Sequence, residues 1–93
     1  MKFLAMCSTG LGSSFMVHMN IDEVLAELGI SGVEVDHSDI GSASPASADV
    51  FFVAKDLEDA AAGLGDVVVL NSIIDREELR EAVKAAAVRK GLL

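Results

Sequence analysis

The chain is poor in several residue types, and each shortage excludes something. It has no tryptophan or tyrosine, one proline, one cysteine, and only 7 Lys plus Arg against 15 Asp plus Glu. With four phenylalanines as its whole aromatic content, it must build a core from Val, Leu, Ile, Ala and Met. The formal net charge of −8 argues against nucleic acid as a partner, because a phosphate backbone calls for a Lys/Arg surplus. A single cysteine forms no internal disulfide, and nothing points to an oxidising compartment. No apolar run approaches the roughly 18 residues of a membrane span. The apolar stretch Phe3–Met6 is too short for a signal-peptide core, and Met6 is large for a residue preceding a lipoprotein cleavage point. The chain therefore reads as a cytoplasmic protein.

What is present is apolar and regularly spaced. At 52% hydrophobic content, disorder is excluded, and 93 residues suffice for a single domain, 1–93. Four β-type runs stand out: Lys2–Met6, Val33–Asp36, Val50–Val53 and Val67–Leu70. The last is apolar on both faces, as a strand covered by helices on each side requires. Helical patterns alternate with these runs. One spans about Ser13 to Leu28 and stops at Gly29; a short one, capped by Asp56, reaches Ala62. A third opens on Asp75-Arg76-Glu77-Glu78, a capping-box variant with Ile74 and Leu79 as staple, and runs to about Arg89. Ser38 to Ala48, with Gly41 and Pro45, reads as an irregular crossover with room for about one helical turn.

Strand–helix alternation implies an α/β fold: a small four-stranded parallel sheet, order 2-1-3-4, with helices on both faces. Sites in such sheets lie at the carboxyl ends of strands near the topological switch point. That edge carries Cys7, then Asp36, His37, Ser38 and Asp39, then Lys55, then Asn71 and Ser72.

Cys7 is the informative residue. It follows directly on the first strand and leads into Ser8, Thr9, Gly10, Leu11, Gly12, Ser13 and Ser14, a glycine- and hydroxyl-rich loop that opens a helix. Backbone N–H groups of such a loop bind an anion, and the same field stabilises a thiolate. This is a phosphate loop after strand 1 with a nucleophile at its first position. Other phosphate loops fail on spacing. The third glycine of a dinucleotide fingerprint would fall on Phe15, and no lysine lies between Lys2 and Lys55 for a Walker A motif. Cysteine phosphatases and arsenate reductases carry an arginine six residues after the cysteine, where this chain has Ser13. Lacking that fork, the loop holds a phosphoryl group but is poorly equipped to drive its hydrolysis. Those enzymes remain one alternative, and a non-covalent anion-binding regulatory domain another.

The stretch Cys7–Met16 resembles the active-site loop of IIB components of the bacterial phosphoenolpyruvate-dependent sugar phosphotransferase system. The ascorbate/galactitol-type branch is the closest, with lactose-type relatives next. The likeness continues through Asp49–Leu57 and Val67–Asn71. It implies a phosphocarrier whose Cys7 takes a phosphoryl group from a IIA phosphohistidine and passes it to a sugar held by a IIC membrane transporter. It also implies peripheral association with that transporter, and no metal or nucleotide cofactor.

Further residues are weighed against plainer roles. Lys55 either neutralises incoming phosphoryl charge or is a solvated lysine, and His37 touches the site or is a solvated loop residue. His18, at the edge of its helix's apolar stripe, is read as structural, and His18, His37 and Cys7 lack any recognised metal-ligand spacing. Val17, Ile21, Val24, Leu25 and Leu28 share the helix face that packs on the sheet. Phe15 and Met19 fall nearly opposite, either as a patch that docks partners or as cover for the C-terminal helix, whose stripe is Leu79, Val83, Ala86 and Ala87.

Overall fold

The computed structural model describes residues 1–7, 13–72 and 75–93. Strand β1 (Lys2–Cys7) leads to helix α1 (Ser13–Glu27), followed by β2 (Glu34–Asp39) and a 3-10 turn at Ile40–Ser42. Then come β3 (Val50–Ala54), a 3-10 turn at Lys55–Leu57, the short helix α2 (Glu58–Ala61), β4 (Val67–Leu70) and α3 (Arg76–Arg89). The four strands form one parallel sheet in the order β2-β1-β3-β4. The expected α/β fold is the one observed.

The side-chain period of two along the strands divides the core into two layers. Phe3 and Ala5 of β1, with Val50 and Phe52 of β3, face α1 and α3. There they meet Val17, Ile21, Val24 and Leu25 from α1 and Leu79, Val83 and Ala86 from α3. The rings of Phe3 and Phe52 lie 5.4 Å apart at 50°, a tilted pair. Leu4, Met6, Phe51 and Val53 face the other way, onto Ala61 of α2 with Leu57, Leu64, Ala43 and Ala48 around it. Both predicted stripes are thus on the buried sides, with Leu28 only partly covered.

The helix ends follow from their residues. Gly29, at φ 72°, takes the left-handed conformation that stops α1; Ile30 N–H then donates to Leu25 C=O at 2.9 Å, and the Ile30 side chain packs on the core. The same arrangement recurs after α3 with Gly91 (φ 75°) and Leu92. At the start of α3, the Asp75 carboxylate accepts from Glu77 N–H at 3.0 Å and Glu78 N–H at 3.1 Å, as expected of a cap. Ile74, the other half of the expected staple, lies outside the described residues.

Three expectations need correction. Asp56 does not cap a helix: it lies inside the 3-10 turn, and α2 begins at Glu58 with no side-chain cap. β2 starts one residue later than expected and extends to Asp39, because each residue from Glu34 to Asp39 pairs with one of Lys2 to Cys7. His37 and Ser38 are consequently strand residues. Lastly, Glu78 does not reach back to close a capping box; its carboxylate accepts from Asn71 N–H and Ser72 N–H, both at 2.8 Å.

Candidate functional site

The sheet positions the site through its order. β1 is central, the chain leaves it for β2 on one side and later crosses to β3 on the other, so the switch point lies at the end of β1. Cys7 is the last residue of that strand, and it pairs with Asp39, the last residue of β2. α1 begins at Ser13, so residues 8–12 make the whole connection from strand end to helix start. Ser8, Thr9, Gly10, Leu11 and Gly12 lie outside the described residues, and of Cys7, Ser13 and Ser14 only the backbone is described.

The two long helices present contrasting N-termini. α3 carries Asp75 at its cap and Glu77 and Glu78 in its first turn, so its exposed N–H groups meet carboxylates of its own chain. The first turn of α1 has no acidic residue. The partial positive charge at that end is therefore not offset by a neighbouring carboxylate on the helix, an arrangement that favours an external anion.

Other predicted residues fall at varied distances from this point. Met6 pairs with Val53, which puts Lys55 two residues further along β3 and its turn, and its side chain is exposed. At the end of β4, the N–H groups of Asn71 and Ser72 are taken up by Glu78. Phe15 and Met19 are 50% and 48% exposed, so α3 does not bury them. α3 meets this flank of α1 further along the helix, where Arg76 pairs with Glu23 at 2.7 Å and Arg80 approaches Glu27 at 3.8 Å.

His37 is not the solvated loop residue that one reading expected. Its Nδ1 lies 2.8 Å from the Nδ1 of His18, and both rings are partly buried. Phe15 leans on this pair, its ring centroid 5.3 Å from that of His37 and 6.2 Å from that of His18. Asp22, one turn along α1, places Oδ2 3.2 Å from His18 Nε2. Asp36 accepts the His37 N–H at 2.8 Å, which satisfies a donor on the outer strand of the sheet. Sequence spacing had no means to join positions 18 and 37. One signal was available: Val33, Val35 and His37 alternate, so a strand that buries the valines turns His37 to the same face, toward α1.

The sequence matches the family model described as the lactose/cellobiose-specific IIB subunit of the PTS system over residues 2–85. The chain belongs to this family. A IIB subunit is a component of a sugar phosphotransferase system, and subunits of this kind work with IIA and IIC partners. None of the curated proteins matches the chain. Among the described residues, no helix is long and apolar enough to cross a membrane.

Proposed function

We propose that this IIB subunit is a cytoplasmic phosphocarrier in which Cys7 is the residue that bears the phosphoryl group. The observation that carries the reading is the position of Cys7 at the end of the central strand, at the switch point, just ahead of a helix whose first turn holds no acid. In the first step the Cys7 thiolate attacks the phosphorus of a IIA phosphohistidine in line. An S–P bond forms, the P–N bond breaks, and the imidazole of the partner leaves. In the second step a hydroxyl of the sugar held by IIC attacks the same phosphorus. The S–P bond breaks, the hydroxyl proton goes to a base, and the thiolate is regenerated.

Phosphoryl transfer asks mainly for positioning and charge neutralisation. Backbone N–H groups from Ser8 to Ser14 supply most of it, with hydroxyls of Thr9, Ser13 and Ser14 adding donors. Lys55 contributes positive charge from the end of β3. A serine where hydrolytic relatives have arginine keeps the phosphocysteine waiting for an acceptor. Phe15 and Met19, exposed on the first two turns of α1, form the apolar patch against which IIA and IIC dock. The family match carries a lactose/cellobiose description and does not support a finer branch; on the sequence Cys7–Met16 alone we infer the ascorbate/galactitol type, and the sugar itself is selected by the transporter.

The test is discharge of the phosphorylated protein. A carrier holds the group in buffer and loses it to one sugar in the presence of IIC. A hydrolytic relative turns over an aryl phosphate unaided, and a non-covalent binder retains phosphate affinity in Cys7→Ser with no adduct in the wild type.

A further inference from the structure

Between α1 and the edge strand β2, the side chains of His18, Asp36 and His37 converge: one ligand atom from each lies within 4.8 Å of the others. We propose that they form a site for a divalent transition-metal cation, zinc in the first instance. This inference is independent of the phosphocarrier reading. Imidazole nitrogen with one carboxylate oxygen is a donor set that suits zinc, and three protein ligands leave a fourth position for water.

The hydrogen bonds around the pair prepare it for a metal. A carboxylate only accepts, so Asp22, 3.2 Å from His18 Nε2, holds the proton on that nitrogen. In the neutral His18 ring Nδ1 is then a bare acceptor turned toward His37, and His37 Nδ1 donates across the 2.8 Å contact. A cation replaces this one shared proton. The proton leaves His37 Nδ1, solvent returns one to Nε2, and the ring stays neutral while both Nδ1 lone pairs meet the metal. The Asp22–His18 contact supplies the carboxylate behind a ligating histidine that commonly fixes ring orientation and raises ligand basicity.

The geometry is close to what binding needs. Two Zn–N bonds of about 2.0–2.1 Å at a tetrahedral angle place the nitrogens about 3.3 Å apart. The rings thus separate by about half an ångström from their 2.8 Å contact, within reach of a small rotation of the partly exposed His37 ring. Asp36 Oδ1 lies 3.9 Å from His37 Nδ1 and closes in as the third ligand, against the competing pull of Lys2 Nζ, 3.8 Å from Asp36 Oδ2. The formal charge of −8 favours any cation, so selectivity is what distinguishes a site from a charged surface.

The experiment is calorimetric titration of Cys7→Ser protein with zinc chloride in excess magnesium, the serine removing the thiol as a rival ligand. One equivalent is expected to bind, with affinity falling at least tenfold in His18→Gln and in His37→Gln. Both imidazoles should show zinc-dependent shifts at Nδ1 by nitrogen-15 NMR, a readout that needs no histidine variant to fold. No binding in magnesium, unchanged affinity in folded His18→Gln, or shifts confined to Nε2 would each overturn the site.

Discussion

Glu78 provides a prediction whose size is set by two contacts. It lies in the first turn of α3, yet its carboxylate receives the N–H groups of Asn71 and Ser72, each at 2.8 Å, and so fastens the end of β4 to the third helix. A hydrogen bond to a charged group contributes about 1.5–3 kcal/mol when sheltered. The Asn71 contact is exposed and the Ser72 contact only partly buried, so solvent reduces the pair to about 2 kcal/mol together. Glu78→Ala removes both bonds and should lower the melting temperature by about 8–16 °C for a domain of this size. Glu78→Gln keeps one carbonyl acceptor but offers no charge, and should lose about half as much. Urea denaturation of the three proteins tests the order, with an unchanged m-value showing that stability alone has moved. Amide exchange at Asn71 and Ser72 should accelerate in both variants. A loss below about 0.5 kcal/mol in Glu78→Ala, or equal losses in the two variants, would refute the reasoning.

Two further perturbations have defined outcomes. Burial alone would raise the Asp66 carboxyl, but hydrogen bonds from Arg89 and Lys90 and their charges outweigh it and hold Asp66 below its ordinary 3.8. A lowered folded-state value means stability that is full above 3.8 and lost as pH falls through the folded value, so Asp66→Asn should flatten the acid limb of a stability–pH curve and cost about 0.5–1 kcal/mol at neutral pH. Replacing Phe15 and Met19 together with Gln removes side chains already about half exposed, for at most about 1 kcal/mol each. The rate of transfer from charged IIA should fall about tenfold or more in a protein that melts as one transition; an unchanged rate would remove the patch from the docking surface.

Much of the fold was legible because its signals were local and agreed with one another. Val67–Leu70, apolar on every residue, marked a strand, although at the sheet edge only Leu70 is fully buried; the stripe Leu79, Val83, Ala86 and Ala87 marked the buried side of α3; Gly29 marked the end of α1. The errors came where tertiary pairing overrides local preference. Asp36-His37-Ser38-Asp39 has little β propensity, yet pairing with Leu4 to Cys7 carries β2 to its end. Asp56 looked like a cap, but the chain tightens into a 3-10 turn before α2 begins. Glu78 had the spacing of a capping box, and the choice between Asp75 and the β4 loop depends on where β4 ends in space.

Around the candidate site, what was legible was local: a strand ending near Cys7 and a helix starting at Ser13 are close in sequence. The contact between His18 and His37 was not legible, because it joins a helix and an edge strand whose separation only the sheet order fixes. Phe15 and Met19 were left between two roles by helical geometry alone, and their exposure depends on where α3 lies along α1.

The central claim is that Cys7 carries the phosphoryl group. It is tested most directly by intact-mass spectrometry at neutral to alkaline pH, after incubation with phosphoenolpyruvate, the general phosphotransfer proteins and charged IIA partners, with Cys7→Ser in parallel. The account predicts one added phosphoryl group on the wild type and none on the variant. An adduct that persists in Cys7→Ser, or no adduct from any demonstrably charged IIA, would contradict it.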